Sequence, residues 1–203
     1  CMLDHVFTDA ISALRDAFGN AFLERQAFEE HFNSDILLGD LVWETTYGLP
    51  GEGLPPRVVA HITLNWPSRS QATYRTWYID EVVDKLPEIE MEVVFRVQRL
   101  AQQPNPSLVD NIAVANSPEI GGASMERDNI TIEICHSSDG TDVVDYALEI
   151  VYEGAYELAE ATLQDGTSSL LDDHFGALGG WVAATLVKLG DLNVQYVPAD
   201  EEN

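Results

Sequence analysis

Residues 58–66, VVAHITLNW, alternate: Val58, Ala60, Ile62, Leu64 and Trp66 are apolar, and His61, Thr63 and Asn65 stand between them. A second alternation runs through Ile89, Met91, Val93, Phe95 and Val97, interleaved with Glu88, Glu90, Glu92 and Arg96. Successive side chains of a strand point to opposite sides, so a period of two buries one face and wets the other. Strands of this kind need neighbours along their edges and an apolar layer over the buried face.

Two segments have the helical period that could supply the layer. In residues 3–32, Phe7, Ile11, Leu14, Phe18 and Phe22, then Phe28 and Phe32, recur near helical spacing, with Asp4 or Thr8 as caps and Gly19-Asn20 as a kink or break. In residues 169–189, Leu171, Phe175, Leu178, Val182, Leu186 and Leu189 follow the 3.6-residue period. Asp172 and Asp173 suit the positive end of that helix, Lys188 suits the other, and Gly190 stops it. Gly176, Gly179 and Gly180 lower its propensity and point to close packing against a neighbour.

Further strands are predicted at 37–47, 130–134, 144–152 and 192–197. Residues 71–79 read as a return strand, which makes 57–79 a hairpin turned at Pro67-Ser68-Arg69-Ser70. Asp80 is placed as the cap of a short helix ending at Pro87, and 155–164 as a short helix. Ser137-Ser138-Asp139-Gly140 has turn chemistry. Residues 101–127, with three prolines and paired glycines, form a long loop. The glycines of GLPGEGLPP precede prolines and not a helix, so they do not make a phosphate cradle. The expected fold is α+β: a mainly antiparallel sheet with an N-terminal helix and a long C-terminal helix packed on it. Residues 1–203 then form a single domain, or two lobes, 1–100 and 128–203, joined by the loop 101–127. The order of helix, strands and helix resembles the general layout of small chaperones that hold secreted effectors, an analogy of layout with no motif behind it.

Charge narrows the functional classes. The chain carries 35 acids against 10 bases, a formal charge of −25, and its only lysines are Lys85 and Lys188. Nucleic-acid backbones and anionic membranes both need positive charge on the protein, so neither is an expected partner. A basic protein is, with an approach that weakens as salt screens it. The competing reading is adaptation, in which acidity serves solubility alone. No apolar run reaches the roughly 18 residues of a membrane span. No basic region followed by an apolar run opens the sequence, so no signal peptide is expected. A cytoplasmic protein follows from these signs, with a lipidated N-terminus at Cys1 as the open alternative. Cys135, in an apolar alternation, reads as a small core residue.

Catalytic and metal signatures are not legible. No two of His5, His31, His61, His136 and His174 stand at i+3 or i+4, as a helical metal motif requires. Asp172, Asp173 and His174 are adjacent and point to different sides of a helix. No G-x-S-x-G elbow occurs, and Cys135 and His136 fall on opposite faces of a strand. Neither a metal nor another cofactor is therefore expected.

The sign of charge is unevenly spread. Between Glu52 and Asp80 there is no acid, and Arg57, Arg69 and Arg75 lie in that window. Residues 145–203 carry twelve acids and one lysine. Three readings of the arginine-rich window compete. Each arginine lies over an aromatic ring or pairs with an acid of a neighbouring strand, such as Glu90 or Glu92. Alternatively, Arg57, Trp66, Arg69, Tyr74, Arg75 and Trp77 form a contact surface, since these residue types dominate interface energetics. In the third, Trp66, Arg75 or Trp77 line a pocket for an anionic small molecule, roofed by residues 101–127. The expected acidic face comprises Glu149, Glu153, Glu157, Glu160, Asp172 and Asp173. Together these favour a protein-binding module of immunity, inhibitor or chaperone type that docks a basic partner.

Overall fold

A computed structural model of the chain describes residues 3–21, 28–37, 39–49, 56–80, 85–159 and 169–198. It is an α+β fold. Helix α1 (Leu3–Ala21) is followed by strands β1 (Phe28–Leu37), β2 (Asp40–Gly48) and β3 (Val58–Trp66), then by helix α2 (Ser68–Asp80). Strand β4 (Glu88–Leu100), the short strands β5 (Glu126–Arg127) and β6 (Thr131–His136), strand β7 (Val143–Glu157) and helix α3 (Ser169–Gly190) complete it. The strands form one seven-stranded sheet in the order β1-β2-β3-β4-β7-β5, with β6 beside β7. Every pairing is antiparallel.

The period-two stretches form the centre of this sheet. In β3 and β4 burial alternates residue by residue, and Val58, Ala60, Ile62, Leu64, Trp66, Ile89, Val93 and Phe95 are all essentially inaccessible. Helices α1 and α3 cover this side. Phe18 of α1 stacks on Tyr47 of β2 at 3.8 Å between centroids. Trp181 of α3 meets Phe95 and Tyr152 edge-on at 5.6 and 5.0 Å. The stripe of α3 identified by periodicity, from Leu171 to Leu189, is buried throughout. Of Gly176, Gly179 and Gly180, only Gly179 serves close approach: a Cβ there would lie 2.7 Å from the Ala17 Cβ, whereas Gly176 and Gly180 face nothing within 4 Å. Among the described residues no helix is long and apolar enough to cross a membrane.

Several local expectations are corrected. Helix α1 ends at Ala21, and Phe28 and Phe32 belong to strand β1, which pairs with β2 from Phe28↔Gly48 to Leu37↔Asp40. The expected strand 37–47 is therefore split by a turn in which Gly39 has a φ of +91°. The largest correction concerns 57–79, which is a strand followed by a helix and not a hairpin. Both edges of β3 are already occupied, by β2 and β4, so a return strand has nowhere to pair. Helix α2 starts after Pro67, whose carbonyl accepts the Gln71 N–H at 3.0 Å, while the Asp40 carboxylate accepts the Ser68 N–H at 2.7 Å. Its inward side is Ser70, Tyr74 and Trp77, spaced at four and three residues. Asp80 is the last residue of this helix, and the expected short helix after it falls at residues 81–84, which lie outside the described residues.

Residues 155–157 continue β7 where a helix was expected, and 160–164 lie outside the described residues. Residues 192–197 form a single bridge, Tyr196↔Leu100, and not a full strand. They are held beside β4 by Arg99, whose φ of +60° marks a bulge and whose Nη2 donates to the Val197 carbonyl at 3.0 Å. Cys135 is half-buried on β6, not a core residue. Asp145, opposite it, raises the thiol pKa by accepting its hydrogen bond, and burial adds to this.

The loop 101–127 contributes Val109, Ala113, Ile120 and Met125 to the core. It is tied to β7 by the Tyr152 hydroxyl, which donates to the Val114 carbonyl at 2.6 Å. It thus packs on the helix side of the sheet.

Candidate functional site

The side of the sheet facing away from α1 and α3 carries the alternate residues of β2, β3, β4 and β7, which stay partly exposed. Register determines which of them are neighbours. Glu44 of β2 lies opposite Thr63 of β3, and Thr63 lies opposite Glu92 of β4. Glu92 lies opposite Glu153 of β7, and Glu153 lies opposite Glu126 of β5. One transverse row therefore reads Glu44, Thr63, Glu92, Glu153, Glu126. Directly opposed residues of antiparallel strands sit about 4.5–5.5 Å apart at Cβ, so three consecutive carboxylates repel one another.

Around Thr63, Glu92, Glu153 and Glu126 the surface dips into a trough of ≈ 730 Å³, lined also by Asn65, Glu90, Asp128 and Arg127, whose guanidinium is turned to the Ala113 carbonyl and to Asp110 at 3.7 Å. The Asn65 amide donates to Glu90 Oε2 at 2.8 Å. Two arginines bracket the row. At the α2 end, Arg69 Nη2 bonds Glu88 and Glu90 at 2.7 and 2.6 Å. At the other end, Arg96 holds Glu133 at 2.5 Å and Glu149 at 3.3 Å. The Glu133 carboxylate is held below the usual range by its bond to Arg96, and the guanidinium is raised in turn. Between the brackets, Glu92, Glu126 and Glu153 have no cation within ion-pair distance among the described residues. No three His, Cys, Asp or Glu side chains among those residues converge as metal ligands. The row is a repulsive line of charge suited to an extended cationic surface.

The residues singled out from sequence are dispersed by the fold. Arg57 lies over the Tyr196 ring, 4.6 Å from its centroid. Trp66 is fully buried and meets Tyr74 edge-on at 6.2 Å, and Tyr74 stacks near Trp77 at 6.0 Å. Arg75 is exposed on the outer side of α2. Arg57 and Arg69 thus follow the first of the three readings, ring contact and cross-strand pairing. Of the acids, Glu149, Glu153 and Glu157 share the open side of β7, because they are spaced by four along one strand. Asp172 and Asp173 belong to the first turns of α3, on the other side of the sheet, and Glu160 lies outside the described residues. Sequence reasoning missed Glu92 and Glu126 as members of the face. Glu92 had a signal, its place in the polar phase of the β4 alternation. Glu126 had none, because its pairing with β7 depends on a loop closing.

A direct consequence concerns Arg69. The substitution Arg69→Gln should free Glu90, leave Glu88 with only its 3.9 Å contact to Lys85, and lengthen the line of unpaired charge by Glu90. Because the Arg69 side chain is 62% exposed, the stability loss should stay below about 1 kcal/mol. Association with a basic protein should become faster at low salt. Denaturant unfolding and association kinetics check both; slower association would make Arg69 itself a contact residue.

Comparison of the chain with protein-family models, with curated proteins and with solved structures finds no match.

Proposed function

We propose that the chain is a protein-binding module, of the kind that inhibits or escorts a basic partner, and that the open side of its sheet is the docking face. The observation that carries this reading is the row Glu92, Glu153, Glu126, three facing carboxylates with no cation within ion-pair distance among the described residues. Folding gains nothing from like charges placed opposite one another. A basic surface laid along the row would relieve that repulsion and would be steered to it by the field of a chain of charge −25. An anionic ligand is less well supported: Trp66 is buried in the core and Arg69 is engaged by Glu88 and Glu90.

The test is retention of basic proteins from a total-protein extract on the immobilised chain, titrated with salt. Retention should fall as salt rises. It should also fall when Glu92, Glu126 and Glu153 are changed to glutamine, and hold when Asp172 and Asp173 are changed to asparagine. Retention indifferent to salt, or lost equally in both variants, contradicts the proposal.

A further inference from the structure

The outer edge of β7 is occupied by two short strands in succession, β5 against Glu153 and Tyr152 and β6 against residues 143–149. They end differently. Beyond β5 the loop closes the edge: Asn116 bridges Glu126, and the Arg127 N–H donates to the Ala115 carbonyl at 2.8 Å. Beyond β6 no strand follows among the described residues. A strand without an outer neighbour presents a row of N–H and C=O groups that another strand can pair with.

The side chains at this edge differ by face. Toward the helix side, Ile134 is 48% exposed and lies opposite Tyr146, and the half-buried Ile132 lies opposite Leu148. Toward the open side stand Glu133, Asp145 and Glu149, with Arg96 bonded to the first and last of them. Asp145 faces Cys135 instead. The edge is apolar on one side and carries more carboxylates than guanidinium on the other.

We infer that the outer edge of β6 takes up an extended segment of a basic partner as a further strand, one in which apolar residues alternate with lysine or arginine. The inference rests on the docking function proposed above and names its chemistry. A strand has a period of two, so such a segment would lay its apolar residues against Ile132 and Ile134 of β6. Its cations would face the surplus carboxylates of the other side. A second copy of β6 fits less well, because it would bring its own Glu133 to an edge that is already negative.

The experiment uses the intact chain and short synthetic peptides. One alternates valine and lysine. A second has the same composition in two blocks. Two further peptides are the alternating one N-methylated on every second residue, in either frame. Amide exchange at residues 131–136 and binding by fluorescence anisotropy are measured. The alternating peptide should slow exchange at 131–136 and bind about tenfold tighter than the blocked one. Methylation in one frame alone should remove that advantage, since only one frame carries the pairing N–H groups. Equal binding of both compositions without protection of 131–136 overturns the inference and leaves the docking face standing. Binding of neither peptide removes both. Protection of 131–136 that grows with protein concentration in the absence of peptide also overturns it, because the edge would then belong to a second copy.

Discussion

Gly121→Ala should lower folding stability by about 2–5 kcal/mol. Gly121 has a φ of +63°, and a Cβ built there would lie 2.3 Å from Tyr156 Cε2 and 2.9 Å from Cδ2. The tyrosine has nowhere to go. Its ring is fully buried, meets Phe175 at 5.0 Å between centroids, and its hydroxyl is 2.7 Å from His174 Nδ1 on α3. A side chain in the left-handed region costs roughly 1–2 kcal/mol, and overpacking a filled site adds about 1–3 kcal/mol. Gly122→Ala separates the two contributions, because Gly122 has a φ of +86° but nothing within 4 Å of its would-be Cβ. Urea unfolding of both variants should show the larger loss at Gly121. Equal losses would mean that the loop 101–127 does not press on β7 and α3 as described.

The second large effect has opposite signs in stability and binding. Changing Glu92, Glu126 and Glu153 together to glutamine removes two directly opposed like-charge pairs. Stability should rise by about 0.5–2 kcal/mol at low salt, with a gain of roughly 2–4 °C in melting temperature for each kcal/mol. The gain should shrink as salt screens the wild-type repulsion. Association with a basic protein should slow about tenfold at low salt. If acidity served solubility alone, these three residues would behave like any other exposed acids. Asparagine at Asp172, Asp173 and Asp191 would then give the same result.

What the sequence revealed follows from which interactions are local. The alternations of β3 and β4 and the stripe of α3 were legible because each is a pattern internal to one element. The C-terminal acids Glu149, Glu153 and Glu157 were legible for the same reason. Residues 68–80 were not. Thr73, Thr76, Tyr74, Trp77 and Tyr78 have strand-forming side chains, and their two faces are both large. What made them helical was the occupation of both edges of β3 by other strands, together with the Asp40 carboxylate waiting for the Ser68 N–H. The Ser70, Tyr74, Trp77 spacing was the weaker signal within the same stretch. The sequence shows that charge is unevenly spread along the chain but not which charged side chains become neighbours. The arginines of 57–75 stand out in the sequence, yet two of the three are engaged by Tyr196, Glu88 and Glu90. The face itself arises from cross-strand register between residues as far apart as Glu92 and Glu153, which no local pattern encodes.

Chemical-shift mapping of a lysine-rich peptide titrated onto the chain tests the docking face most directly. The changes should concentrate on Thr63, Glu92, Glu126 and Glu153 and fade as salt is added. Changes spread evenly over the exposed acids, with Asp172, Asp173 and Asp191 responding as strongly as the row, would contradict it.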